Sequence, residues 1–391
     1  MPDRVYLDWN ATTPLRREAR EAMAAVWDLC GNPSSVHFEG RQARKLVEDA
    51  RASISGAVGA LPRNLIFTSG GTEANALALT SGLRRGSGLP VKRLMVSAIE
   101  HASVLAGGRF PADAVGIIGV TSSGVLDLDR LRPMLDGGPA TLVSVMLANN
   151  ETGALQPVAE AGELVHAAGG LLHVDAIQAF GKIPFDINAI NADLVTISAH
   201  KIGGPKGIGA LILAEGVVGF EPLLRGGGQE LGRRAGTENV AGIAGFGAAA
   251  RAAMSSLESE AVRLESLRNR LEEGLRRTAD GIVFSDAIVF ADDVPRLPNT
   301  TLFTVPGLKA ETAVIGFDLA GIAVSSGSAC SSGKVQPSHV LQAMGFGGEL
   351  AQGAVRLSLG WSTSDADIDC CLEAWRKLSG TLLKGMRRNT A

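Results

Sequence analysis

Between residues 64 and 213 the sequence repeats one unit: a short apolar run, a turn, an amphipathic stretch, and another apolar run. The apolar runs fall at 64–68, 93–97, 114–120, 141–147, 170–174, 194–198 and 209–213. Most are continuous and rich in valine, isoleucine and leucine, the texture of strands buried on both faces. Stretches such as 72–85 and 157–168 place apolar residues at helical spacing between them. Strands alternating with helices in this way indicate an α/β fold. The expectation is a mostly parallel seven-stranded sheet covered by helices.

Near residue 255 the texture changes to a long charged helix. Leu264, Leu267, Leu271 and Leu275 form one apolar stripe, and Glu272/Arg276 and Glu273/Arg277 are four apart. This helix is expected to bridge two domains. Strands at 300–304 and 354–358, with helices at 311–319 and 365–378, indicate a smaller α+β unit beyond it. The acidic segment 292–298, which holds two prolines, reads as a surface loop. The expected division is a large domain at 15–257 and a small one at 258–391 that also takes in 1–14.

With a formal net charge of -3 over 391 residues, the chain has no basic surplus for a phosphate backbone or an anionic membrane. No stretch approaches the roughly 20 apolar residues that cross a bilayer, and the amino terminus has no apolar signal core. A cytoplasmic protein is expected, with neither nucleic acid nor membrane as partner. Cys30, Cys330, Cys370 and Cys371 are too few for a disulfide framework and make no Cys-x-x-Cys metal pair. No resident metal is expected. Cys30, Cys370 and Cys371 read as small buried hydrophobes.

The 194–198 run leads into Ala199-His200-Lys201 and then Gly203-Gly204-Pro205. A lysine leaving a buried strand into a tight turn loses hydration, and a neutral amine can condense with an aldehyde. Taken alone, the segment fits a surface lysine at a strand end at least as well. Three other strand ends bear on the choice. Phe67 to Asn75 passes through Gly70-Gly71-Thr72 into a helix, where free N–H groups and the Thr72 hydroxyl either cradle a phosphate or cap a tight turn. Asp175, in His173-Val174-Asp175-Ala176-Ile177-Gln178, lies where ligands of open α/β sheets collect. It either pairs with a protonated pyridine nitrogen or caps a helix. His101, after Glu100, either lies flat against a ring or is structural.

Further blocks are Tyr6-Leu7-Asp8, Ala11 to Pro14, Gly31 to His37, Asn149 to Gly153, Arg233 to Asn239, Ser325 to Ser331 and Arg356 to Gly360. With those above, they resemble the class V aminotransferase-like cysteine desulfurases of the nitrogen-fixation and iron-sulfur-assembly type. The resemblance covers nearly the whole chain. It implies the type I pyridoxal-phosphate transferase fold, like that of aspartate aminotransferase, with pyridoxal 5'-phosphate as cofactor. By resemblance Lys201 would carry the cofactor as a Schiff base, His101 would stack on its ring, Asp175 would pair with the pyridine nitrogen, and Gln178 would bond the ring hydroxyl. Gly71, Thr72, Ser198 and His200 would hold the phosphate, with Thr237 reaching in from the other subunit of a homodimer. Asn150 and Arg356 would hold the substrate, the arginine forking onto its carboxylate.

Small residues and glycines surround Cys330 in Ser325 to Lys334, which suits an exposed loop better than a packed core. The resemblance makes Cys330 the nucleophile that takes sulfur from L-cysteine. L-alanine would leave, and the persulfide would pass to an iron-sulfur scaffold or another acceptor, Cys330 transiently ligating a cluster during transfer. The interval from Cys330 to Arg356 is similar to that of the longer-loop branch. Departures are Asp8-Trp9-Asn10-Ala11, where many relatives carry asparagine-alanine-alanine, and Trp361. Rival readings are a selenocysteine lyase or aminotransferase of the same fold, or a non-catalytic descendant.

Overall fold

The computed structural model describes residues 4–277, 287–327 and 337–382. The seven expected strands join one sheet in the order Leu65–Thr68, Gly209–Leu213, Leu194–Ser198, Leu171–Asp175, Thr141–Met146, Arg93–Ser97, Val115–Ile118. Gly209–Leu213 runs antiparallel to both its neighbours, and the remaining pairs are parallel. The five strands from Leu65 to Leu213 other than Arg93–Ser97 and Val115–Ile118 are buried at every position, which explains their unbroken apolar texture.

Helices cover both faces. Val158–Ala167 matches its expected span closely. The helix expected at 72–85 is shorter, Gly71–Ala78. Gly82 adopts a left-handed φ of 92° and turns the chain, so that Arg84–Arg85 pairs with Val217–Val218 as strand instead. The apolar spacing ran on because Leu79 and Leu83 are buried, although they are not helical. The helix Val240–Ser255, dominated by alanine and glycine, packs on Phe38–Gly56 and Arg17–Ala24. Gly247 permits that approach: a β-carbon there would lie 2.7 Å from Ala50 Cβ. Among the described residues no single helix is long and apolar enough to cross a membrane.

After a bend of 71° the charged helix runs over Leu257–Leu275, with Leu264, Leu267, Leu271 and Leu275 all buried. Its stripe faces a second core built on the antiparallel sheet Ile288–Val289, Thr300–Thr304, Val355–Ser358, Ser325–Ser326. The helices Ala310–Leu319 and Asp365–Leu382 complete it, with the Trp375 ring between Phe303 and Phe317. Val5–Tyr6 pairs in parallel with Ile322–Ala323, so the first described residues join this core. Asp8 then bridges to Ser358, and Thr13 donates its amide to the His200 carbonyl. The segment between them crosses to the edge of the large sheet.

Two expectations need correction. The 292–298 segment is exposed at Asp292, Asp293 and Pro295 but turns inward at its end. Leu297 is buried, and the Arg296 guanidinium forks onto Glu272 at 2.8 and 3.1 Å, since a charged group taken from water requires a partner. Of the three cysteines read as buried, Cys371 alone is, on the core face of its helix. Burial pushes its thiol up to about 12. Cys370, one helical position earlier, is exposed, as is Cys30.

Glu230 shows how the large sheet is tied to its helices. Its carboxylate accepts both Arg51 Nη1 and Nη2 at 2.8 Å and the Phe67 amide at 3.0 Å, with both charged side chains buried. Glu230→Ala leaves both Nη groups of a buried guanidinium without their carboxylate, with only the half-exposed Glu48 at 3.2 Å beside Nε, a change of about 3 kcal/mol. Urea denaturation should show a clear drop in midpoint, and an unchanged midpoint would contradict this view of the pair.

Candidate active site

Parallel strands deliver the residues that follow them to one edge of the sheet. Here the ends of Arg93–Ser97, Thr141–Met146, Leu171–Asp175 and Leu194–Ser198 open into a cavity of about 320 Å³. Gly71, Thr72, His101, Asn150, Asp175, Gln178, Ser198, His200, Lys201 and Arg356 all line it. Thr237 is exposed and is not part of that lining. Cys330 lies outside the described residues.

Asp175 forms the buried wall, 4% exposed. Its oxygens accept from Asn75 Nδ2 at 2.9 Å and from the Ile177 amide at 3.0 Å. The second bond is the local cap expected of an aspartate before a turn, so capping and ligand roles coexist in one side chain. Burial raises the carboxyl pKa, against the pull of those donors and of the His101 and Lys201 charges. A carboxylate served by neutral donors in a dry place attracts a cationic group.

Sequence reading gave Asn75 no role. Wholly buried, it donates to Ser103 Oγ at 2.9 Å and accepts the Thr196 hydroxyl at 2.6 Å while holding Asp175. Ser103 in turn fixes His101, whose Nδ1 accepts the Ser103 amide at 3.1 Å. With Nδ1 accepting, the neutral ring carries its proton on Nε2. One asparagine therefore orients the carboxylate on one side of the cavity and, through Ser103, the imidazole on another. The one available signal was its place one turn into the helix that starts at Gly71, facing the Asp175 strand end.

At the other end of the cavity the backbone makes an anion site. Gly70 has a φ of 155°, and a β-carbon on Gly209 would lie 2.6 Å from the Gly70 carbonyl carbon, so only a bare backbone fits this crossing. In the helix that follows, Ala74 donates to the Gly70 carbonyl, which leaves the amides of the first turn for a ligand. Ser198 Oγ is buried without a hydrogen-bond partner among the described residues. His200 stands nearby; burial and the surrounding lysine charges lower its pKa to about 4, so it offers a neutral ring.

Lys201 Nζ donates to the carbonyls of Asn10 and, at 2.9 Å, of Ala11. Asn10 O also accepts Gln178 Nε2 at 2.9 Å, and Gln178 Oε1 accepts Lys182 Nζ at 2.7 Å. Burial and the Lys201 and Arg356 charges push the Lys182 pKa well below the ordinary range. Arg356, with its side chain 2% exposed, donates to the Asn150 carbonyl at 3.0 Å and pairs with Asp8 at 2.9 Å. Its Nε is buried with no partner among the described residues. A cationic donor left over at the cavity suits a carboxylate. Neither Asn10 nor Lys182 was foreseen, because nothing local in the sequence says which segment folds over a strand end.

The chain matches the model of the family described as Aminotransferase class-V over residues 5–370. It is 44% identical over 378 residues to a cysteine desulfurase of Cereibacter sphaeroides, covering 95% of this chain and 94% of that one. An IscS-like cysteine desulfurase of Mycobacterium tuberculosis is 40% identical, covering 98% and 97%. Among solved structures, a NifS-like protein from Rickettsia africae superposes with a TM-score of 0.85 at 36% identity, covering 97% of this chain and all of that one. The likeness runs nearly the whole length of both this chain and those proteins, and this chain belongs to the class V aminotransferase family, among its cysteine desulfurases.

Proposed function

We propose that this cavity binds pyridoxal 5'-phosphate and that the chain uses it to move the sulfur of L-cysteine onto Cys330. The observation that carries the reading is the meeting of three groups in one cavity: the unpartnered Ser198 hydroxyl, the buried Asp175 carboxyl, and the Lys201 amine. A phosphate, a protonated pyridine nitrogen and an aldehyde answer these three in turn. Thr72, Ser198, His200 and the Gly71–Thr72 backbone would hold the phosphate. Asp175 would keep the proton on the ring nitrogen, His101 would lie against the ring, and Gln178 would face its hydroxyl. Bound in this way, the cofactor supplies an electron sink for charge developing at the substrate α-carbon.

Each remaining role falls to the chain itself. Arg356 grips the substrate carboxylate with its spare Nε donor, and Asn150 lines the same end. Lys201 Nζ moves the proton at the α-carbon. The Cys330 thiolate attacks the substrate sulfur, an S–S bond forms as the C–S bond breaks, and a proton is added at the β-carbon. L-cysteine and a thiol become L-alanine and a persulfide, which balances without an outside oxidant. The persulfide then passes to an iron-sulfur scaffold or another sulfur acceptor in the cytoplasm. Thr237, exposed on its own chain, completes the phosphate site of a second copy in a homodimer.

Wild-type protein should show a visible absorption band that disappears in Lys201→Ala, with sulfide release from L-cysteine falling on the order of 10³-fold. A colourless wild type reconstituted with the cofactor contradicts this reading. Cys330→Ala should keep the band and lose sulfide release, whereas full retained release would remove Cys330 from the reaction.

A further inference from the structure

Glu151 takes no part in the chemistry above, yet its carboxyl is buried where three parts of the chain meet. It follows Asn150 in the turn after the Thr141–Met146 strand. Asn149 Oδ1 accepts the Glu151 and Thr152 amides, each at 2.9 Å, and holds that turn in place. The residue is 3% exposed, and its Oε2 accepts the Ser338 hydroxyl at 2.5 Å. Ser338, itself wholly buried, caps the helix His339–Ala343 by accepting the Leu341 amide at 3.1 Å. Gly327 lies against the same carboxyl oxygen: a β-carbon there would be 3.2 Å from Glu151 Oε2. The Gly327 amide donates to the Ala354 carbonyl at 3.1 Å, one step from the strand that carries Arg356.

Gly327 and Ser338 flank the stretch that contains Cys330. Both therefore rest on one side chain, and that side chain adjoins Asn150 and Arg356. Burial raises the Glu151 pKa to about 7, although the Ser338 hydrogen bond and the Arg356 charge pull it down. A carboxyl that resists ionisation costs stability, and an apolar residue of similar volume would fill the space better. What the carboxyl adds is directional: it takes a hydroxyl from one chain end and lies close enough to the other that a β-carbon at Gly327 would crowd it.

We infer that Glu151 is a positioning residue, tying the chain ends that flank Cys330, at Gly327 and Ser338, to the turn that carries Asn150. Both ends of the stretch are thereby referred to the turn that also carries Asn150. The inference rests on Cys330 being the sulfur acceptor. Its consequence is selective: Glu151 affects the sulfur-transfer step and leaves cofactor and substrate capture unchanged.

The test uses cofactor-loaded wild type, Glu151→Ala and Glu151→Gln. Three readouts separate the steps: the absorbance change on titration with L-cysteine, the single-turnover rate of Cys330 persulfidation by mass spectrometry, and the substrate-free rate of Cys330 alkylation by iodoacetamide, with exposed Cys30 as internal reference. In Glu151→Ala the titration midpoint should stay within about threefold of wild type, while persulfidation slows by at least about tenfold and the alkylation rate shifts. Glu151→Gln, which can still accept the Ser338 hydroxyl, should recover most of the persulfidation rate. It should also melt higher than wild type at pH 8. Wild type must hold an ionised buried carboxyl there, and the margin should close as pH falls from about 7 towards 4.5, where the folded protein has already taken up the proton. Equal loss of titration and persulfidation, or an unchanged alkylation rate, overturns the inference. A wild type that leaves Cys330 unmodified by L-cysteine sinks the functional reading instead, and the alkylation comparison still decides the role of Glu151.

Discussion

A carboxylate buried at a strand end with neutral donors around it is the constraint on which the rest of the site depends. Asp175 is removed from water by the same sheet that needs its strand to be apolar, and Asn75 and the Ile177 amide only partly offset the loss of hydration. Such a group is stable when a cation completes it, and the cavity offers a place for one. Asn75 is what makes the arrangement exact enough to use. By bonding Asp175, Ser103 and Thr196 at once, it joins residues of three strands and their turns to a helix in one polar network.

A second constraint joins the two cores. Arg356 belongs to the smaller sheet, yet it donates to Asn150 of the large one and pairs with Asp8 of the amino-terminal segment. Asn10, in that same segment, takes Lys201 and Gln178 on its carbonyl and Lys182 on its side chain. Arg356, Lys201 and Gln178 are thus positioned by elements that are distant in sequence and share buried polar contacts. Removing one partner from such a network leaves another unsatisfied.

Much of this was legible beforehand because it rests on short-range rules. A strand buried on both faces is mostly apolar, so residues 194–198 and 209–213 were placed to the residue, as was 93–97, which is buried after Arg93. The ten cavity residues named from motifs line one cavity: nine lie at or just after strand ends at one edge of the large sheet, and Arg356 enters from the smaller antiparallel sheet. Failures have a common cause in burial that periodicity does not encode. Leu83 is apolar at helical spacing but lies past a glycine turn, Arg296 is charged but buried against Glu272, and Cys370 sits beside Cys371 but faces water. Asn10, Asn75 and Glu151 act chiefly through partners far away in the sequence, which the blocks that contain them do not reveal.

The central claim is that the strand-edge lysine site serves the thiol of Cys330. Its most direct measurement is mass analysis of the cofactor-loaded protein after brief exposure to a single equivalent of L-cysteine. One added sulfur atom on the Cys330 peptide, with a matching amount of L-alanine in solution, is the predicted result. L-alanine formed while Cys330 stays an unmodified thiol, or no L-alanine from a protein that binds the cofactor, would contradict the account.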